Sequence, residues 1–186
     1  MNKKIILASA SPRRTELLKE IIEDFEIIPS NCKEYLPPTI TPIDAVMLLA
    51  YEKAWDVYSR SNYDSSSILV IGADTVVDNG QIIEKPKDKN DALTMLLDLS
   101  GKAHMVHTGV SIIGNGIKEV FYDSTKVFFK KYTADDLKEY LETDEPYDKA
   151  GAYAIQGYFG RFIDHIDGDF NNVMGLPTYR LSKYLK

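Results

Sequence analysis

Cysteine is nearly absent: Cys32 stands alone among 186 residues, so no intramolecular disulfide can form. No Cys/His spacing suggests zinc, and Cys32 reads as a structural or surface thiol. Long apolar runs are missing too. No stretch approaches the ~18 apolar residues of a spanning helix. The run Ile5-Ile6-Leu7-Ala8 behind Lys3-Lys4 is too short for a signal peptide and ends at Arg13-Arg14. A cytoplasmic protein with no membrane partner is expected. Basic excess is also lacking: 22 Lys and Arg face 28 Asp and Glu, for a net charge of −6. Such a chain repels polymeric nucleic acid at long range, so any phosphate site must be local. There is no internal repeat, no low-complexity tract and no Walker A loop. The absence of that loop and of a phosphoryl-accepting nucleophile motif argues against a kinase-like transferase or a phosphatase.

What is present is an ordinary globular composition, 44% hydrophobic and 27% charged, which implies a chain folded end to end. The length suits one domain or two small lobes around a cleft, and residues 1–186 are read as a single domain. Ile5 to Ala8 reads as a strand buried on both faces, followed by a loop and a helix from Thr15 to Glu23. Phe25 to Pro29 reads as a second strand. Thr41-Pro42-Ile43-Asp44 supplies a cap, a proline at the first helical position and an acid in the first turn, which predicts a helix to about Ser59. After a polar linker at 62–67, Ile68 to Val77 and Gln81 to Ile83 flank Asn79-Gly80, a type I′ hairpin signal. Asn90 to Leu99 predicts a helix closed by Gly101, and a second hairpin is expected around Asn115-Gly116. Thr133 is expected to cap a helix through Tyr140. The stretch from Gly151 to Gly175 reads as a loop-rich site builder, closed by a short helix from Pro177. Helical crossovers mixed with hairpins imply an α/β fold with a mixed, partly antiparallel sheet flanked by helices.

Several residues carry candidate chemistry. Ser9-Ala10-Ser11-Pro12-Arg13-Arg14 lies where a buried strand meets a helix start, a place that favours anions; it is a phosphate grip or a solvated basic helix start. Asp74 interrupts an apolar strand and costs several kcal/mol if buried unpaired. It holds a divalent metal, activates water as a general base, or is a strand-end carboxylate satisfied by turn amides. Lys53 shares a helix face with Val46, Ala50 and Val57, so it either snorkels outward or reaches phosphate. Glu34 is a second metal contact or a solvated acid, and Lys85 by itself reads as surface. His104, His107 and His165 read as structural, and the tyrosines as packing groups.

Taken together, Leu7-Ala8-Ser9-Ala10-Ser11-Pro12-Arg13-Arg14, Gly72-Ala73-Asp74-Thr75-Val76-Val77, Glu84-Lys85-Pro86 and Leu99-Ser100-Gly101-Lys102-Ala103-His104 resemble the Maf family, or septum formation proteins, over nearly the whole chain. The resemblance implies a fold of the Maf and inosine triphosphatase kind with a substrate cleft, a nucleoside triphosphate pyrophosphatase activity, a divalent metal (Mg2+ or Mn2+) and a homodimer. Asp148 to Gly157 and Asn172 to Pro177 resemble the branch that hydrolyses dTTP and UTP as pool house-cleaning, rather than the branch acting on 7-methyl-GTP. The resemblance maps the proton acceptor onto Asp74, and substrate discrimination onto Arg13, Thr75 and Gln156. It places Ser9, Arg14, Glu34, Lys53 and Lys85 around the phosphates, with Glu34 and Asp74 toward the metal. One primary amide at Gln156 complements the N3–H donor and O4 acceptor of uracil and thymine, while cytosine inverts that edge. Two positions depart from the family pattern: Lys33 stands where an acid is common, and Glu20 to Asp24 lacks the usual glycine. A non-enzymatic nucleotide-sensing regulator of cell division is the alternative reading.

Overall fold

A computed structural model describes residues 3–64 and 66–185. Seven strands form one mixed sheet in the order β2-β1-β3-β5-β6-β7, with β4 paired to β3, and helices flank it. The strands are β1 Lys4–Leu7, β2 Glu26–Ile27, β3 Ile68–Asp78, β4 Ile82–Ile83, β5 Ala103–Gly114, β6 Ile117–Phe129 and β7 Ile163–Asp167. The helices are α1 Pro12–Lys19, α2 Pro42–Arg60, α3 Lys89–Leu99, α4 Lys138–Leu141, α5 Phe170–Met174 and α6 Thr178–Leu181. Residues group into two compact units: Met1–Thr75 with Thr108–Asp123 and Gly175–Lys186, and Val76–His107 with Ser124–Met174. Strands β3, β5 and β6 contribute residues to both. Among the described residues no helix is long and apolar enough to cross a membrane.

In the first unit β1 pairs in parallel with both β2 and β3, which is why Ile5, Ile6 and Leu7 are apolar without alternation. Ile6, Ala8, Ala54, Val57, Ile68, Val70 and Ile113 form the buried core here. Helix α2 begins as its sequence demands: the Thr41 hydroxyl accepts the Asp44 N–H at 3.1 Å and Pro42 opens the first turn. Two glycines let α2 lie close on the sheet. A Cβ on Gly72 would meet the Ala50 carbonyl oxygen at 2.3 Å, and one on Gly109 would meet the Val46 carbonyl oxygen at 2.2 Å.

Helix α1 is shifted from its expected span: it starts at Pro12, whose fixed φ suits the first turn, and its regular turns end at Lys19. Continuing it would stack Glu20, Glu23 and Asp24 on the negative end of the helix dipole. The expected linker at 62–67 contains Ser65, which lies outside the described residues; residues 66–67 form a turn.

The second unit is built on Ala92, Leu96, Leu99, Val127, Phe129, Tyr132, Tyr140, Tyr153 and Phe159, so the tyrosines named here are core groups. Asp88 caps α3, and Gly101 closes it at φ +67. Three sequence expectations need correction in detail. The Asn79-Gly80 hairpin forms, but the register pairs Asp78 with Ile82, so its loop has three residues rather than two. Only Gly80 of that pair has positive φ, and its N–H is held by the Asp78 carboxylate, an Asx contact that displaces the type I′ turn. Asn115-Gly116 does have positive φ at both residues, as a type I′ turn requires. Thr133 donates its hydroxyl to Asp136 instead of capping a long helix, and regular helix is confined to Lys138–Leu141. The stretch from Gly151 to Gly175 is more regular than expected. It holds β7, antiparallel to β6, as well as α5 and two 3-10 turns.

Candidate active site

In the first unit, the end of β1 and the first turn of α1 bring Ser9 and Arg14 together with Thr75 of β3. Arg14 donates from Nε to the Gly175 carbonyl at 2.9 Å, from Nη2 to Thr75 Oγ1 at 3.1 Å and from Nη1 to Ser9 Oγ at 3.4 Å. Thr75 Oγ1 also lies 2.9 Å from Thr108 Oγ1. Burial pushes the Arg14 guanidinium below its ordinary value, opposed by the charge of Asp74, yet an arginine stays protonated throughout the physiological range. Its fork is therefore committed to holding Ser9, Thr75 and Gly175 in register, while its charge gives the neighbourhood a fixed positive potential. Arg13, half-buried beside it, stands in the same first turn. Ser11 at the helix N-cap does not turn its side chain onto the helix amides, which leaves the positive end of the α1 dipole to an anion.

One strand residue before Thr75, Asp74 is 9% exposed, and its partner is a lysine rather than turn amides. Lys53 Nζ on α2 lies 2.6 Å from Asp74 Oδ1 and 2.7 Å from Glu34 Oε1, with only 14% of its side chain exposed. Lys53 therefore does not snorkel outward: its ammonium is turned from bulk water and bridges two carboxylates. Lys53 reaches Asp74 because α2 lies close on Gly72, two residues earlier in the strand.

These two carboxylates present hard oxygen donors to one shared cation position, since both contact the same nitrogen within 2.7 Å. Such a pair suits a divalent ion completed by substrate phosphates, the usual arrangement for Mg2+. No cluster of three or more His, Cys, Asp or Glu suited to a metal occurs among the described residues.

The remaining two sequence candidates lie in the second unit. Lys85 is exposed just after β4, and the neighbouring Glu84 carbonyl accepts the Gly151 N–H at 3.2 Å. Gln156 is exposed on a turn closed by the Gly157 N–H to the Ala154 carbonyl at 3.2 Å. The Glu145 carboxylate fastens that turn by accepting the N–H groups of Tyr158 at 2.9 Å and Phe159 at 3.3 Å. It leaves no room for a side chain at Gly157, where a Cβ would sit 2.2 Å from Glu145 Oε2. Gln156 thus projects from a rigid mount. Sequence reasoning missed Thr108, Gly175 and Glu145. A polar residue inside the apolar β5 run was the only local signal for Thr108, and the other two act through contacts distant in sequence.

Each of the three histidines has a side-chain partner. His107 Nδ1 lies 2.7 Å from Ser124 Oγ, and His165 stacks on Phe128. His104 Nε2 lies 2.7 Å from the Tyr153 hydroxyl, and burial pushes its pKa down to about 4 from 6.5. Above pH 6.5 the ring is neutral in both folded and unfolded chains. As pH falls toward 4 the unfolded chain takes the proton first, so the contribution to stability is lost over that window, about 3 kcal/mol in all. Urea unfolding at pH 7, 5 and 4 is expected to show a shallower acid decline for His104→Phe than for the unaltered chain; equal declines would contradict it.

The fold has a solved counterpart in the Ham1 protein of Staphylococcus aureus, with a TM-score of 0.56 and 16% identity over 98% of each chain. A protein of Caldicellulosiruptor bescii named dTTP/UTP pyrophosphatase is 45% identical, covering 99% of this chain and 94% of its own. One of Clostridium botulinum with the same name is 47% identical, covering 98% and 96%. The family model described as Maf-like protein matches residues 4–186. With that match across nearly its full length and relatives this similar, the chain belongs to the Maf family.

Proposed function

We propose that this chain is a nucleoside triphosphate pyrophosphatase that converts dTTP and UTP, and modified pyrimidine triphosphates of the same edge pattern, to the monophosphate and pyrophosphate. Residues 1–186 act as one enzymatic domain in a cytoplasmic homodimer that clears nucleotide pools and binds neither polymeric nucleic acid nor membrane. The observation that carries this reading is the largely buried Asp74 carboxylate at the end of the motif Gly72-Ala73-Asp74, held 2.6 Å from Lys53 beside the Arg14 cluster. The names of the relatives, close to this chain over nearly its whole length, support the substrate class.

In the mechanism, the α1 N-terminus, Arg13, Arg14, Lys53 and Lys85 neutralise the triphosphate, and Ser9 orients an oxygen. Asp74 takes the proton of a water whose oxygen bonds to the α-phosphorus, and the bond from that phosphorus to the bridging oxygen of the β-phosphate breaks. A divalent ion between Glu34 and Asp74 would supply further charge neutralisation on the phosphate oxygens. Positioning and charge neutralisation provide most of the rate. Gln156 reads the pyrimidine edge.

Incubation with Mg2+ or Mn2+ and each nucleoside triphosphate, 7-methyl-GTP included, is expected to yield monophosphate and pyrophosphate, fastest from dTTP and UTP. Orthophosphate as the product would overturn the proposed reaction. Tight binding without any product would make the chain a nucleotide-sensing regulator. Gln156→Ala is expected to narrow the UTP over CTP preference in kcat/KM by about 10- to 100-fold, because the amide no longer rejects an inverted edge. An unchanged ratio would remove Gln156 from base recognition.

A further inference from the structure

We infer that Lys53 is a placeholder cation that keeps the Glu34–Asp74 pair from binding a metal ion on its own, so that metal enters only together with a nucleotide. The inference rests on the pyrophosphatase reading above and adds an order of events to it.

The nitrogen of Lys53 sits where the two carboxylates converge, at 2.7 Å from Glu34 Oε1 and 2.6 Å from Asp74 Oδ1. Both distances are those of charge-assisted hydrogen bonds. Little of the lysine is open to water, whereas Glu34 is 55% exposed at its side chain, so the pair can be reached from the Glu34 side. A divalent ion approaching without phosphates would have to displace the ammonium from both carboxylates, a costly loss of counter-charge for a side chain only 14% exposed. A triphosphate supplies those acceptors. As Lys53 turns to phosphate oxygens, the carboxylates are released to the incoming ion, and each exchange compensates the other.

Mn2+ binding read by electron paramagnetic resonance of the free ion, with no nucleotide present, tests this directly. The unaltered chain is expected to bind Mn2+ weakly, and Lys53→Met and Lys53→Gln to bind it at least about tenfold more tightly, since one positive charge leaves the pair. Lys53→Arg keeps the charge and is expected to bind as weakly as the unaltered chain. Adding Asp74→Asn to Lys53→Met is expected to abolish the gain, which locates the ion. With α,β-imido-UTP present, the unaltered chain is expected to take up Mn2+ readily. Tight Mn2+ binding by the unaltered chain alone, or equal affinities across the Lys53 series, would overturn the placeholder role. Product analysis is separate: turnover of UTP with flat Mn2+ affinities sinks this inference alone, and no turnover sinks the pyrophosphatase reading whatever the ion does.

Discussion

Asp74→Asn is expected to lower kcat for dTTP and UTP by about 10³-fold while leaving nucleotide affinity within a few-fold, the range for removal of a general base. The amide keeps the shape of the carboxylate and can still accept from Lys53 through its carbonyl. It cannot take a proton from water. A collapse of folding is not expected, because Lys53 retains Glu34 at 2.7 Å and so is not left as a buried charge without a counterion. That distinction matters in magnitude: stranding a buried charge costs about 3–5 kcal/mol, whereas exchanging one of two acceptors costs far less. Single-turnover rates with equilibrium binding of a non-hydrolysable analogue separate the effects. Full retained activity would remove Asp74 from the chemistry, and loss of binding equal to the loss of rate would make it a binding group instead.

A large loss of stability is expected at Gly72. In Gly72→Ala the new Cβ would lie 2.3 Å from the Ala50 carbonyl oxygen and 2.7 Å from the Ala54 nitrogen, both backbone atoms of α2. Neither can swing away as a flexible side chain would, so the helix must lift from the sheet, at about 3 kcal/mol for overpacking of this kind. For a chain of this length that corresponds to a fall in Tm of about 10 °C. Gly80→Ala is the informative contrast: it has positive φ, +106, but nothing within 4 Å of a Cβ. Its cost is conformational alone, about 1 kcal/mol. Lifting α2 also draws Lys53 from Asp74, so Gly72→Ala should lose activity at temperatures where it remains folded, and Gly80→Ala should not. Calorimetry and turnover on the two variants check this, and equal Tm values would contradict close packing as the reason for Gly72.

Much of the architecture was legible along the chain. The Thr41 cap, the helix closure at Gly101 and the Asn115-Gly116 turn are local devices, and each appears where its residues call for it. Errors arose where a distant partner overrode a local preference. The Asp78 carboxylate holds the Gly80 amide and the hairpin register adds a loop residue, so Asn79-Gly80 departs from type I′. Strand β7 was read as loop because its apolar positions are few; pairing with β6 from Lys126 to Phe129 makes it a strand.

The sequence by itself determined the family, the residue types of the candidate site, and the strand and helix order that carries them, because motif spacing, caps and periodicity are properties of neighbouring residues. Only the tertiary structure decided what those residues touch. Arg14 looked like a phosphate grip and is held by Ser9, Thr75 and Gly175, the last 161 positions away. Lys53 was equally compatible with solvent and with phosphate, and the fold turns it from solvent to lie between Glu34 and Asp74. Which groups of opposite charge come within 3 Å depends on how closely a helix can approach a sheet, and here two glycines on neighbouring strands, Gly72 and Gly109, set that distance.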